Sequence, residues 1–393
     1  MKKKPLLLSF FLISLVLFTG CSSSPKKDIM RAADWEKKHP DVYATYLSNE
    51  EMESTTYGGS VPIDYLEEYP NLKVLYDGYG FSKDYKRARG HVYGLEDVMN
   101  TERPKAGASC LACKTADFIE LLNKDGIEVN AMDFDQVVSA DMETISCYDC
   151  HKNTPGTVEI TRDHLTTGLS HFDKEFKPGD MACGQCHVEY YMDPDTKEVI
   201  LPWHNGFDTD DMLAYYDDIE FHDWEHPTTG TKLLKAQHPE FETFQGSKHS
   251  DYGLSCIHCH MPKEENEKGE EFRSHHWTSP LKTVESSCLG CHTNDDEESL
   301  IARVETIQGD VTKKTDEVLD IITELIEELS KAVEEGEYSE EVLDQVRDYH
   351  RKAQFKWDFV FVENSEGFHN SEKAHKNLDE ARELAMKGLE LLK

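Results

Sequence analysis

The sequence predicts a mainly α fold of two textures, with short helices and long loops through most of the 393 residues and long regular helices at the C-terminal end. Three observations lead there. Ten of the 11 cysteines fall into Cys-x-x-Cys pairs between Cys110 and Cys291. Turn residues are dense before and between those pairs, and from Leu300 a helical apolar stripe begins abruptly. The length allows one large domain or two of ordinary size, with enough apolar and aromatic content for a sizeable core.

Taken in order, residues 1–20 read as a lipoprotein export signal. Three lysines precede an apolar run from Pro5 to Phe18, too short to span a bilayer comfortably. "FTGC" and the serines after it resemble a bacterial lipoprotein signal, making Cys21 the lipidated first residue of the mature chain, with residues 21–35 as a tether. An ordinary cleaved signal with an incidental Cys21 is the other reading. A single acyl group holds weakly. The expected location is extracytoplasmic, on the outer face of the cell membrane. With 77 acidic against 42 basic residues, the charge of −35 excludes nucleic-acid or anionic-membrane binding driven by charge and favours a cationic protein partner.

Residues 36–299 hold the motifs. The pairs are Cys110/Cys113 followed by Lys114, then Cys147/Cys150 with His151, Cys183/Cys186 with His187, Cys256/Cys259 with His260 and Cys288/Cys291 with His292. Cys-x-x-Cys-His is the attachment signature of c-type haem: two thioethers fix the porphyrin and the adjacent imidazole reaches its iron. Structural zinc gives no reason for His at that one position four times in an exported chain. The prediction is therefore a multihaem cytochrome c fold with five covalently bound haems, in which porphyrins replace much of the side-chain core.

Six-coordinate haems need second axial ligands. The chain has 19 histidines, and His91, His249, His275 and His369 are candidates with a local hint, which composition alone does not rank. Lys114 is the exception among the motif residues. An amine binds iron only through a neutral lone pair, so ligation would have to displace a proton. Spacing leaves two readings open: a haem with an open face for substrate, or a degenerate motif whose iron is held by a remote histidine.

One lysine-type motif followed by four histidine-type motifs, in that order, resembles the pentahaem cytochrome c nitrite reductases that form ammonia, from "HPDVYATYLS" near His39 to the final helices. The resemblance implies six-electron reduction of nitrite to ammonium at a Lys114-ligated haem, with four bis-histidine haems as wiring. Hydroxylamine, nitric oxide and sulfite are further substrates it allows. It implies His91 opposite the third haem, His275 the second, His249 the fifth and His369 the fourth, with His276 and His375 as neighbouring rivals of His275 and His369. Arg103, Tyr190 and His238 match the pocket around the substrate. Glu189, Tyr190, Lys235 (through its carbonyl) and Gln237 match a calcium site, a hard-cation set of oxygen ligands. A membrane-bound quinol-oxidising multihaem cytochrome is the implied donor. A pure electron-transfer cytochrome without an open haem is the alternative.

Residues 300–393 complete the chain. Val304, Ile307, Val311, Val318, Ile322, Leu325 and Leu329 form the stripe of the first helix, "GEYSE" ends it, and Val342–Phe361 and Glu372–Leu392 read as two more. Their apolar faces suit either an intrachain bundle or, as the resemblance implies, a homodimer interface.

Overall fold

The computed structural model describes residues 29–51 and 61–393, so the signal and Cys21 lie outside the described residues. Three long helices dominate: Glu297–Glu335, Glu340–Phe361 and Ser371–Leu391. The first starts where Asp296 accepts from the Ser299 amide at 2.9 Å, with Glu297 and Glu298 in the first turn to complement the helix dipole. It ends at Gly336, whose φ of +67° is the left-handed conformation that closes a helix. Ser339 and Asn370 cap the second and third.

The apolar stripe is consumed within the chain. Val318, Ile322, Leu325 and Leu329 are fully buried against the other two long helices and against Leu66, Leu72, Leu75 and Tyr76 of the N-terminal segment. Gly388 of the third helix lets it approach closely, since a Cβ there would meet Leu325 Cδ1 at 2.7 Å. The heptad-like spacing is thus explained by intrachain packing, and it no longer argues for a second copy. Val304 and Ile307, at the start of the stripe, line a large cavity instead, and Val311 stands where the core meets the cavity wall.

The rest is short helices and loops, with three antiparallel hairpins: Tyr191–Met192 with Val199–Ile200, Trp224–Glu225 with Lys232–Leu233, and Lys263–Glu265 with Glu271–Arg273. The first two matter for position. One begins directly after Tyr190, and the other leads into Lys235, Gln237 and His238. A second core, built on Trp203, Phe241, Phe355 and Phe359, joins the second long helix to the segment around Val188. The mainly α, multihaem-type architecture expected from the sequence is what the chain adopts.

One buried group gives the fold an acid limit. His350 is fully buried, with Nδ1 on Thr231 Oγ1 and Nε2 on Gln354 Oε1, both at 3.0 Å. Burial, and then nearby His226, pull its pKa down to about 3. The unfolded chain, titrating near 6.5, therefore binds the proton first, and stability falls as pH drops below that value. At pH 5 the loss from this one residue is about 2 kcal/mol. Thermal midpoints of wild type and His350→Gln at pH 7 and pH 5 check this: the variant should lose less on acidification, and equal losses would contradict it.

Candidate functional site

Each attachment motif sits on a helical turn, which brings the two cysteines and the residue after them to one side. The second occupies the helix Cys147–His151, capped reciprocally by Ser146 and Asp149. The fourth occupies Cys256–His260, capped by Ser255. The first lies at the turn Ala108–Leu111, entered through Gly107 at φ +149°. A Cβ on Gly107 would meet the carbonyl of Asn130 at 2.7 Å, so only glycine admits this entry. None of these ten cysteines is in a disulfide.

The five motifs line one continuous cavity of about 2990 Å³. Pockets for a single small ligand reach roughly 1,000 Å³. The volume therefore suits several large groups side by side. The sulfurs are arranged in sequence: Cys113 lies beside Cys186, and Cys183 beside Cys256. Cys150 lies electrostatically close to Cys183 and Cys186, and Cys259 to Cys288 and Cys291. The third motif is thus the branch point between the first, the second and the fourth.

Across this cavity the histidines face one another in pairs. His91 lies 5.8 Å from His187, His275 6.2 Å from His151, His369 6.1 Å from His260 and His249 6.4 Å from His292, ring centre to ring centre. Metal–imidazole bonds of about 2.0–2.1 Å on both sides of one ion put two ring centres about 6 Å apart, so these spans are compatible with one iron between each pair, although His238 also lies 6.4 Å from His187. The ring nitrogens agree. Nδ1 of His151, His260 and His275 donates to the carbonyls of Thr157, Thr278 and Arg273 at 2.8, 3.1 and 3.0 Å. Nδ1 of His369 bonds Glu363 at 2.6 Å, and Nδ1 of His187 and His292 lies 3.5 Å from Glu240 and Asp295. Nε2 is left for the cavity in all six, the outer-partner arrangement that orients imidazole ligands. His375 does not line the cavity, whereas His369 and both His275 and His276 do.

Lys114 has a different neighbourhood. Its stem packs on the short helix Gly94–Asn100, where a Cβ on Gly94 would touch Lys114 Cδ at 3.3 Å. His238 lies 6.4 Å from His187, and burial pulls its pKa down to about 4, so the ring is neutral at neutral pH. Arg103 Nε donates to Thr101 Oγ1 at 3.2 Å, and the guanidinium stands 4.2 Å over the Phe81 ring. Burial, followed by Cys113 and Cys110, raises the Tyr190 phenol well above its ordinary value, which keeps the hydroxyl protonated beside the first motif. Arg103, Lys114, Tyr190 and His238 all open on the same cavity.

The four residues of the expected cation site also meet. Glu189 is buried, accepting from the Tyr216 hydroxyl at 3.1 Å and the Gln237 amide at 2.6 Å. The Gln237 side chain reaches the Lys235 carbonyl at 2.9 Å. Burial, opposed by that amide and reinforced by Glu242 and Asp223, pushes the Glu189 carboxyl well up. A cation would relieve this crowding of carboxylates. Among the described residues no three His, Cys, Asp or Glu converge on a metal position, so a cation here would depend on the Glu189 carboxylate plus amide and backbone oxygens, a donor set that fits calcium.

Sequence reasoning missed the residues behind these. Glu240 meets His187 from a distant segment, Glu363 bonds His369 from six residues upstream, and Asp358 of the second long helix holds Lys235 Nζ at 2.9 Å and Tyr76 at 2.6 Å. No motif marks them; the only signal was acidic residues within otherwise apolar helical stretches.

Residues 31–393 match the family model described as cytochrome c552. A relative named cytochrome c nitrite reductase subunit NrfA, from Nitratidesulfovibrio vulgaris, is 34% identical over 413 residues, covering 92% of this chain and 78% of its own. A cytochrome c-552 from Bacteroides thetaiotaomicron is 32% identical over 374 residues, covering 88% and 73%. Among solved structures, the catalytic subunit of a cytochrome c nitrite reductase from Desulfovibrio desulfuricans, described with two calcium sites, superposes with a TM-score of 0.84 at 30% identity, covering 92% of this chain and 86% of that one.

Proposed function

Since the chain belongs to the cytochrome c552 family, the family of the cytochrome c nitrite reductases, and is an oxidoreductase of that kind, we propose that it reduces nitrite to ammonium at a haem held by Cys110, Cys113 and Lys114. Four further haems would be held by the pairs His151/His275, His187/His91, His260/His369 and His292/His249 and would supply the electrons. The observation that carries this reading is the pairing of rings: His151, His187, His260 and His292 each face a partner about 6 Å away, whereas Lys114 is the one motif residue that is not a histidine and opens on the same cavity as Arg103, Tyr190 and His238.

The haems supply electrons and an iron position open to substrate. The residues of the chain do the rest. Nitrite needs six electrons and eight protons to become ammonium and two waters. Arg103 has its Nε committed to Thr101 and its plane fixed on Phe81, so its terminal N–H groups are the donors left for nitrite oxygens. His238, neutral through burial, offers a ring N–H to the same oxygens, and the protonated Tyr190 hydroxyl is a third donor. Donors fixed in a water-poor site cost no reorganisation as charge develops on the leaving oxygens. Arg103 also gives an anion a positive point in a chain whose net charge is −35. Hydroxylamine, nitric oxide and sulfite are small enough to reach the same position and belong to the proposal as secondary substrates.

Calcium belongs to the proposal through Glu189, the Tyr190 and Lys235 carbonyls and the Gln237 side chain. Its role is to hold the two segments that carry Tyr190 and His238. Treatment with a calcium chelator should lower both the thermal midpoint and nitrite turnover, and added calcium should restore both; unchanged values would remove the site.

The location on the outer membrane face through lipidated Cys21, the quinol-oxidising donor and the homodimer remain parts of this proposal. Among the described residues no helix is long and apolar enough to cross a membrane, and a Cys21→Ser variant recovered with the membranes would contradict the anchor. Because the stripe is buried within the chain, a dimer would use the outer faces of the long helices.

Nitrite-dependent ammonium production by the purified holoprotein tests the whole reading. Nitrite consumption without ammonium would sink it. The electron-transfer alternative predicts five low-spin haems in the oxidised protein, whereas the enzyme predicts one high-spin haem beside four low-spin ones.

A further inference from the structure

The loops carrying the first three attachment motifs meet at a buried polar junction whose centre, Arg162, has no part in the chemistry above. Its side chain is fully buried. Nε donates to the carbonyl of Ala112 at 3.1 Å, Nη2 to Asp149 Oδ1 at 2.5 Å and Nη1 to Thr161 Oγ1 at 2.7 Å. Ala112 lies between Cys110 and Cys113, and Asp149 between Cys147 and Cys150. Gln185, between Cys183 and Cys186, accepts from the Thr161 and Arg162 amides at 2.6 and 3.2 Å and donates to the Asp149 carbonyl at 3.1 Å. One residue from inside each of three Cys-x-x-Cys frames is therefore tied into a single network.

Burying a guanidinium and a carboxylate together is a weak route to stability, because desolvation offsets most of the attraction. What the pair does supply is direction. A planar fork of donors fixes several acceptors at once, which an ammonium does not. The loops fixed here are the ones through which electrons must pass, since the third motif touches the first through Cys186 and Cys113 and the fourth through Cys183 and Cys256.

We propose that Arg162 is a positioning residue that sets the mutual placement of the first, second and third attachment loops, and through it the rate of electron delivery to the Lys114 site. The proposal rests on the reading of that site given above.

Arg162→Lys keeps the charge but loses the fork, and Thr161→Val removes one member of the network in nearly the same shape. For each variant carrying five haems, the rate at which a reduced dye reduces the high-spin haem is measured without nitrite, beside kcat and KM for nitrite. Both the reduction rate and kcat should fall about tenfold, the scale on which outer partners of metal ligands act, with KM unchanged. A wild-type reduction rate would overturn the proposal, as would a loss confined to KM. If Arg162→Lys does not assemble, Thr161→Val decides by the same outcomes. Absence of ammonium production by the wild type would defeat the functional reading instead, and the nitrite-free reduction rate would still judge Arg162.

Discussion

Lys114→His should assemble with its full set of haems and lose nitrite reduction by roughly 100-fold or more, a loss on the scale of removing one preorganised catalytic group. Both thioether positions are untouched, so attachment through Cys110 and Cys113 survives. What changes is the group beneath the iron. An amine is a donor with no second nitrogen to be tuned, whereas an imidazole brings a ring that must fit where the lysine stem now packs against Gly94. On the proposed reading, the first site then resembles the four histidine sites assigned to electron transfer. Haem stoichiometry and ammonium production under a reduced dye measure the two halves of this expectation. A variant with five haems and near-normal turnover would show that Lys114 has no special role.

The second large effect is expected at the oxygen-facing donors. Arg103→Gln and His238→Asn should each lower kcat/KM for nitrite by about 10²–10³, the range found when one preorganised donor is removed. Their signatures differ. Arg103 supplies positive charge to an anion in a chain of −35, so its loss should raise KM as well as lower kcat. His238 is neutral at working pH, and its loss should fall mainly on kcat. Because burial holds the ring pKa at about 4, activity should not decline through the ordinary histidine range near pH 6.5 on account of this residue. A pH profile that lost a limb near 6.5 in His238→Asn would contradict that assignment. Steady-state kinetics from pH 5 to 8 on both variants provides the measurement.

Much of this was legible in the chain because it is local. A Cys-x-x-Cys frame and the residue after it are written within five positions, and a helical turn is enough to bring them to one side. The three long helices announced themselves through periodicity and the break at "GEYSE": the predicted Val342–Phe361 and Glu372–Leu392 differ from Glu340–Phe361 and Ser371–Leu391 by two residues or fewer at each end. Periodicity does not say what an apolar face meets, however. The stripe from Val311 to Leu329 served equally for a dimer, and only packing against Leu72, Leu75 and the neighbouring helices assigned it to the interior.

By itself, the sequence determined the attachment motifs, their order, the exceptional Lys114 and the change of texture near residue 300, since each is set by covalent spacing or by the period of a helix. The tertiary structure alone decided how far apart the facing histidine rings lie, that Glu240 reaches His187 from a separate segment, and that Arg162 ties three motifs together. Asp358 and Tyr76 meet across 282 positions, and nothing in either segment names the other. The physical reason is common to all of these. Covalent attachment is specified within one turn of chain, whereas an opposing ligand or a buried counter-charge is specified only by where packing brings two distant surfaces together.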